Sequence, residues 1–535
     1  MKANKLSAVV VGCVLGAFVG MYAQPAAATW NWKWGRIQFN TAQSSETGGL
    51  LEDMEIDNSD NAHVLIQAYD TSNWNWILEE GSATLNYAAS LPYTSGGSLS
   101  QISGSSTYKK EAIDPLQTAL GQSQLAIDPT GSKELALQSF LRGFQDSSSG
   151  NDMWIGHVRM FYKSGGSWSQ VHIGQQIPQL LTGSACTVPA ANDEQYQTPV
   201  DNMCTTGATL DYQYCFAQTA SAATYQDVVP AYLACSYLGN NKFGVAIGVT
   251  TLGCDSSGSL SKYHKCYVFY LQVDTSTSSP TLNSAKCLFA HTSNTDDEPV
   301  TALNMASVQG AVIVAIKTTT WDKTTNPWTP IPHLYFHRLL SGTWDSATYP
   351  SATSGSIALA TDGTSTLHFA EYNQYNTIPN VLAGTLSFGT AQSTGPLATN
   401  QLGGLVIADV QKRLDATTLT TVSNQPVVTY SDANDNNCAN EGYVLAPVDQ
   451  PYQSCTVNAN HWCEPPNSAM QHNCTTGEDC DGGNGWQCHT RVWGLTPRTC
   501  AWHDSQNNVT RLVTLMWQCN SSGTFVPTVS IQPFN

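Results

Sequence analysis

Charge is what this sequence has least of. Only 12% of its 535 residues are Asp, Glu, Lys or Arg, about half the share of an ordinary globular chain. The shortage falls mainly on the cations: 22 Lys and Arg stand against 40 Asp and Glu, a formal net charge of −18. A chain so poor in cations cannot neutralise a row of phosphates, which excludes a nucleic-acid partner. Beyond residue 28 no apolar run is long enough to cross a bilayer as a helix, so no transmembrane segment is expected there. Long amphipathic helices are missing too, with Lys110–Leu120 and Gly404–Leu414 the only weak candidates. There is no Gly-x-Ser-x-Gly elbow, no His-Glu-x-x-His and no phosphate-cradling glycine loop. No local motif therefore marks a serine hydrolase, a zinc protease or a nucleotide enzyme. Cys-x-x-Cys is absent, and residues 29–185 and 288–437 contain no cysteine at all.

What is present is Ser, Thr, Asn, Gly and aromatic residues, the composition of an extracellular β-protein. Residues 1–28 read as a secretory signal peptide: Lys2 and Lys5, an apolar stretch from Leu6 to Tyr22, then Ala26-Ala27-Ala28 before Thr29. The protein is accordingly expected to be secreted or held at the cell surface, where cysteines pair as disulfides. Seven cysteines lie between Cys186 and Cys287 and eight between Cys438 and Cys519. Cys254 and Cys266, flanking Asp255–Lys265, are expected partners across a hairpin. The odd cysteine is left as a free thiol or for an intermolecular disulfide.

The least decorated stretch is Gly355–Gly389. It reads as a strand (Ile357–Ala360), an Asp362-Gly363 turn, a second strand (Leu367–Tyr372), a polar loop (Asn373–Pro379) and a third strand (Val381–Phe388). Similar patterns start from His63–Tyr69, Glu134–Phe140, Ala231–Leu238, Ala311–Thr318 and Gln425–Tyr430. The expected fold is all-β: a β-propeller-like array of about six degenerate antiparallel meander units over residues 29–436. A cysteine-containing insertion falls near 177–225, and a cysteine-rich, disulfide-stapled region occupies 437–535. Within that region Arg511–Trp517 and Phe525–Ile531 are expected to close the ring with the N-terminal strand. A multi-sheet β-sandwich is the alternative.

The turns Ser164-Gly-Gly-Ser-Trp168 and Ser341-Gly-Thr-Trp344 resemble the final hairpins of sialidase-type propellers, in which a turn leads into a buried Trp. Neither has the Asp of that family's Ser-x-Asp-x-Gly-x-Thr-Trp repeat. The resemblance implies an architecture and no activity.

An acid tends to follow the second strand of a unit, close to an aromatic: Asp70, Asp146, Asp322 beside Trp321, and Glu371 beside Tyr372. Equivalent loops emerge on one face of a propeller, so these residues, with Trp74 and Trp76, form the expected ligand-binding set. Aromatic faces and polar side chains are what sugar rings and hydroxyls require, and a glycan or surface polymer is the expected partner. A glycoside hydrolase or lyase using paired carboxylates on the same scaffold is the second reading. A structural or assembly protein of the cell surface is the third. Asp432, Asn434 and Asp435 place oxygen ligands at close spacing and form the expected calcium site. His333 and His337 share a strand face, but at roughly 13 Å apart they cannot hold one metal between them.

Overall fold

The structure is a computed structural model. It describes residues 35–40, 46–70, 75–86, 94–107, 118–145, 152–178, 211–218, 230–254, 260–293, 295–355, 357–361, 365–371, 374–393, 402–408, 427–432, 441–445, 461–464, 487–490, 498–504, 509–519 and 525–533. Among these residues there are strands and turns and no helix, and none that could cross a membrane as one. The two weak helix candidates are strands where they are described, Thr118–Ile127 and Leu402–Ala408. In the first, neighbours pair across to Lys133–Gln145, so a helical-looking spacing is overridden by a partner strand.

Six antiparallel sheets follow one another along the chain. The first joins Glu46–Ile56, Asn61–Asp70, Asn75–Thr84 and Ser100–Gln101. The second joins Thr118–Ile127, Lys133–Gln145, Asp152–Ser164 and Ser167–Val171. The third joins Tyr232–Gly239, Lys242–Cys254 and Leu260–Asp274, the last flanked by Thr281–Leu282 and Lys286–His291. The fourth is Val300–Val308, Ala311–Asp322, Thr329–Leu340 and Thr343–Tyr349. The fifth is Ile357–Thr361, Leu367–Glu371, Gln374–Ile378 and Gln392–Ser393. The sixth is Leu402–Ala408, Val427–Asp432 and Glu441–Leu445.

A seventh sheet draws on both ends of the chain. Arg498–Asp504, Val509–Cys519 and Phe525–Pro533 continue into Gly35–Asn40, which pairs antiparallel with Phe525–Pro533 and parallel with Thr94–Ser98. The first strand of each sheet packs against the first strand of the next, and Arg498–Asp504 packs against Glu46–Ile56, so the succession returns to its start. That cyclic order is the arrangement of a propeller, in which no sheet is left with an uncovered face.

Side chains interleave between neighbouring sheets. Phe336 and Tyr349 of the fourth sheet meet Phe369 of the fifth, with ring centroids 4.9 and 5.1 Å apart. The middle strand Ala311–Asp322 is buried on both faces from Ala311 to Thr318, which is why its sequence is continuously apolar from Ala311 to Ile316 rather than alternating. Short hairpins also bond sheet to sheet. Asn58 N donates to Pro129 O (2.7 Å), and Lys133 Nζ donates to Asn241 Oδ1 (2.9 Å) and Thr275 O (2.6 Å). Trp502 Nε1 donates to Asp60 Oδ1 at 2.9 Å and ties the seventh sheet to the first.

Three readings of the sequence are corrected here. In the fifth sheet the third strand is Gln374–Ile378, inside the stretch read as a polar loop, and Val381–Phe388 is not a strand. Asn376 is 2% exposed because its amide donates to Tyr349 Oη, so a polar residue takes an inward position. Cys254 and Cys266 do not face each other: Cys254 pairs with Leu260, and Cys266 pairs with Thr250 and His291. Cys266 is a buried free thiol that donates to Glu298 O, and Cys287 is an exposed one. The insertion near 177–225 supplies a strand, Tyr212–Gln218, to the edge of the second sheet.

That added strand makes one position intolerant. Tyr214 stands opposite Gly156, and a Cβ built on Gly156 would lie 2.1 Å from the Tyr214 ring. Gly156→Ala is expected to cost about 1–3 kcal/mol through forced displacement of that ring. A urea midpoint equal to that of the parent protein would show that the ring does not rest there.

The two Trp residues of the sialidase-like turns both reach back toward the preceding sheet. Trp168 donates through Nε1 to Glu80 Oε2 of the first sheet at 3.3 Å. Trp344 meets Tyr270 of the third sheet edge-on at 4.9 Å.

Candidate functional site

The fourth sheet carries an arm. Its two central strands stay paired past the reach of their neighbours: Thr319↔Pro332, Thr320↔Ile331, Trp321↔Pro330 and Asp322↔Thr329. Pairing with the first strand of the sheet ends at Thr318, and pairing with the last ends at Leu334. The hairpin therefore projects by four residue pairs, roughly 13 Å at strand rise. Pro330 and Pro332 cannot donate to an added strand, which protects the open edge from further pairing.

At the tip Trp328 is 60% exposed, and Ile331 is 42% exposed beside it. They are the large exposed hydrophobic side chains among the described residues. The turn holding Trp328 is tied internally. Asp322 Oδ1 accepts from Thr324 N (2.9 Å) and Thr324 Oγ1 (2.6 Å), and Thr329 N donates to Thr325 Oγ1 (2.9 Å). Lys323 Nζ donates to Thr295 O at 3.3 Å and lies 5.6 Å from the Trp328 ring centroid. The Thr324 donors hold the Asp322 carboxyl below the usual carboxylate range.

The base of the arm is polar. Glu298 Oε1 accepts from Thr318 Oγ1 (2.7 Å) and Tyr335 Oη (3.0 Å), while Glu298 Oε2 lies 3.1 Å from His291 Nδ1. His291 Nε2 is 3.6 Å from Asp296 Oδ1, whose side chain is 48% exposed. His333 Nε2 and Thr320 Oγ1 share a hydrogen bond at 2.9 Å. Burial, with the Glu298 charge, pushes the Tyr335 phenol up to about 12, so it remains a donor at neutral pH. The arm and its base thus offer an exposed ring face above fixed donors and acceptors.

The residues expected from sequence are distributed as follows. Asp70, Asp322, Glu371 and Asp432 are each the last residue of the second strand of their sheets, so topology sets them on one side of the ring. Their environments differ. Asp70 is 2% exposed and Glu371 1%, and Glu371 is spent on Lys317, whose Nζ is 2.7 Å from its Oε1. Asp322 sits at the arm tip with half-buried Trp321, and Trp76 is half-buried on the first sheet opposite Tyr69. The structure brings Trp321 and Asp322 together and does not bring Glu371 or Asp70 to them. Trp74, Asp146, Tyr372, Asn434 and Asp435 lie outside the described residues, as do residues 1–28, read from the sequence as a signal peptide. Sequence reasoning passed over Trp328, His291 and Glu298. The available signal was a Trp within Asn326-Pro-Trp-Thr-Pro-Ile-Pro332, where three prolines prevent a central strand.

No protein family matches this sequence. No curated protein matches it either. Among solved structures, a Bombyx mori GH32 beta-fructofuranosidase aligns over 90% of this chain and 88% of its own, at 9% identity and a TM-score of 0.28. A full-length beta-fructofuranosidase from Microbacterium saccharophilum K-1 aligns over 54% of this chain and 56% of its own, at 6% identity and a TM-score of 0.23. Likenesses of this size carry no argument about activity, and the functional reading rests on the site.

Proposed function

We propose that this chain is a secreted or surface-held seven-bladed propeller that binds a glycan or other polyhydroxylated surface polymer on the edge bearing the arm. The observation that carries the reading is Trp328, exposed at the end of a projecting hairpin whose turn is fixed by Asp322, Thr325 and Lys323. A Trp side chain has only two χ angles to order, so on a tied turn it costs little entropy on binding and offers a flat apolar face. The hydroxyls and carboxylates around it supply the directional bonds that a sugar needs.

The test is a titration of the protein with neutral and acidic polysaccharides, read by tryptophan fluorescence and by a glycan array. Trp328→Ala is expected to weaken binding at least about tenfold, the cost of a well-placed anchor residue. Because the side chain is exposed, its removal should leave stability within about 0.5 kcal/mol. Unchanged binding by the variant would overturn the reading. Release of reducing ends during the same incubations would make the edge a hydrolase site instead.

A further inference from the structure

A second cluster lies between the first and second sheets, far from the arm in sequence and built wholly from buried groups. His63 and Glu80 come from the two central strands of the first sheet, and Glu134 from the second strand of the next. They are 4, 4 and 1% exposed, and one nitrogen or oxygen of each lies within 4.8 Å of the others. We propose that these three residues bind a divalent transition-metal ion of the zinc or manganese class, which pins the two sheets together.

The donor set suits such an ion. One imidazole nitrogen with two carboxylates is common for zinc and manganese, whereas calcium takes six to eight oxygens. His63 Nδ1 is 3.2 Å from Glu134 Oε1 and 3.9 Å from Glu80 Oε1. Two ligands of a tetrahedral ion with bonds near 2.0–2.1 Å stand roughly 3.3 Å apart.

The imidazole is already oriented for the task. Its Nε2 is 3.3 Å from Asp57 Oδ2, and Asp57 is fixed by Ser59 N (2.8 Å), Asn61 N (2.9 Å) and Asn61 Nδ2 (2.8 Å). A carboxylate behind a ligating histidine sets the tautomer that leaves the other nitrogen free to coordinate. The backbone closes over this pair at Gly131, whose φ is +67°. A Cβ there would lie 2.6 Å from Asp57 Oδ2 and 2.8 Å from His63 Nε2.

The independent sign of a ligand is what remains unsatisfied. Glu80 Oε1, Glu134 Oε2 and His63 Nδ1 are buried and make no hydrogen bond. Each such buried polar atom is costly. Lys163 does not relieve them. Its Nζ lies 2.7 Å from Glu80 Oε2 and 2.8 Å from Glu134 Oε1, the opposite oxygens. One ammonium against two carboxylates leaves negative charge in excess, and a divalent ion held by His63 Nδ1, Glu80 Oε1 and either oxygen of Glu134, with Lys163 keeping Glu80 Oε2, would balance it. The Trp168 ring, 5.6 Å from Lys163 Nζ, gives the ammonium a further partner.

The experiment uses the full chain stripped of metal by chelation and dialysis, then reloaded with Zn2+ and, separately, with Mn2+. Manganese is included because the 16 cysteines offer zinc thiolate alternatives that manganese disfavours. The expected result is one equivalent of Mn2+ by elemental analysis and a rise in Tm on reloading. His63→Gln and Glu134→Gln should abolish the stoichiometric ion and the Tm rise. Asp57→Asn, behind the ligand, should weaken affinity about 10–100-fold and keep the stoichiometry. X-ray absorption at the manganese edge should show a single imidazole, a readout that misfolding of a variant cannot mimic. No bound Mn2+ and no Tm rise in the parent protein would overturn the proposal and leave Lys163 as the sole closing cation. Binding undiminished in both ligand variants would overturn it equally.

Discussion

Lys317→Met should destabilise the protein by about 3–5 kcal/mol, the cost of leaving one member of a buried ion pair alone. Lys317 and Glu371 are each 1% exposed and join the fourth sheet to the fifth through a 2.7 Å contact. Burial pushes the ammonium down and the carboxyl up, and their mutual attraction opposes both shifts. Without Lys317 only burial remains to act strongly on Glu371, so its folded pKa rises further above the ordinary 4.5. A carboxyl that holds its proton in the native state but loses it on unfolding makes stability fall as pH rises. The penalty should therefore be small below pH 4.5 and grow above it. The variant Lys317→Met with Glu371→Leu should recover most of the loss, because a well-packed apolar pair replaces a charge pair at little net cost. Urea unfolding at pH 4 and pH 7.5 measures both effects. A single variant within about 0.5 kcal/mol of the parent at pH 7.5 would rule out a charged pair.

Acid should weaken the fourth sheet through His337. Burial, with help from the nearby Lys286 charge, holds its imidazole down at about 4 against an ordinary 6.5. Above pH 6.5 the residue is neutral in both folded and unfolded chains and adds no pH dependence. As pH falls from 6.5 toward 4 the unfolded chain takes up a proton that the native state refuses, and stability drops by at most about 3 kcal/mol. Below 4 both states are protonated and the loss is complete. His337→Gln should remove that part of the slope. The measurement is the difference between parent and variant stability at pH 7.5, 5.5 and 4. An identical slope in the two proteins would show that His337 is not held neutral.

Much of the strand pattern was legible in the sequence, for local reasons. Ala311–Ile316 is apolar without a break and rich in β-branched residues, and it lies inside the strand Ala311–Asp322. The Asn240-Asn241 turn is a two-residue hairpin with φ of 52° and 59°, a conformation that Asn tolerates better than most residues. Where the reading failed, a partner strand decided. Gln374–Ile378 is polar enough to pass for a loop, yet Tyr375 and Asn376 are buried because Leu367–Glu371 and Tyr349 meet them. Cys254 and Cys266 have hairpin-like spacing, but register displaces them along the ladder. The prolines around Trp328 mark its segment as unfit for a central strand, but its exposure depends on where the neighbouring strands stop.

By itself the sequence determined that the chain folds from strands and short turns, and that an acid closes the second strand in sheet after sheet. Both follow from local chemistry, since β-branched runs extend and Asp and Asn terminate strands. Tertiary structure alone decided what each acid does. Asp322 caps a solvent-facing turn, Glu371 is buried on Lys317, and Glu80 meets Glu134 across two sheets. The physical reason is that the fate of a carboxylate depends on its dielectric surroundings and on the nearest cation. Those partners come from strands tens of residues away, brought close only when the sheets pack.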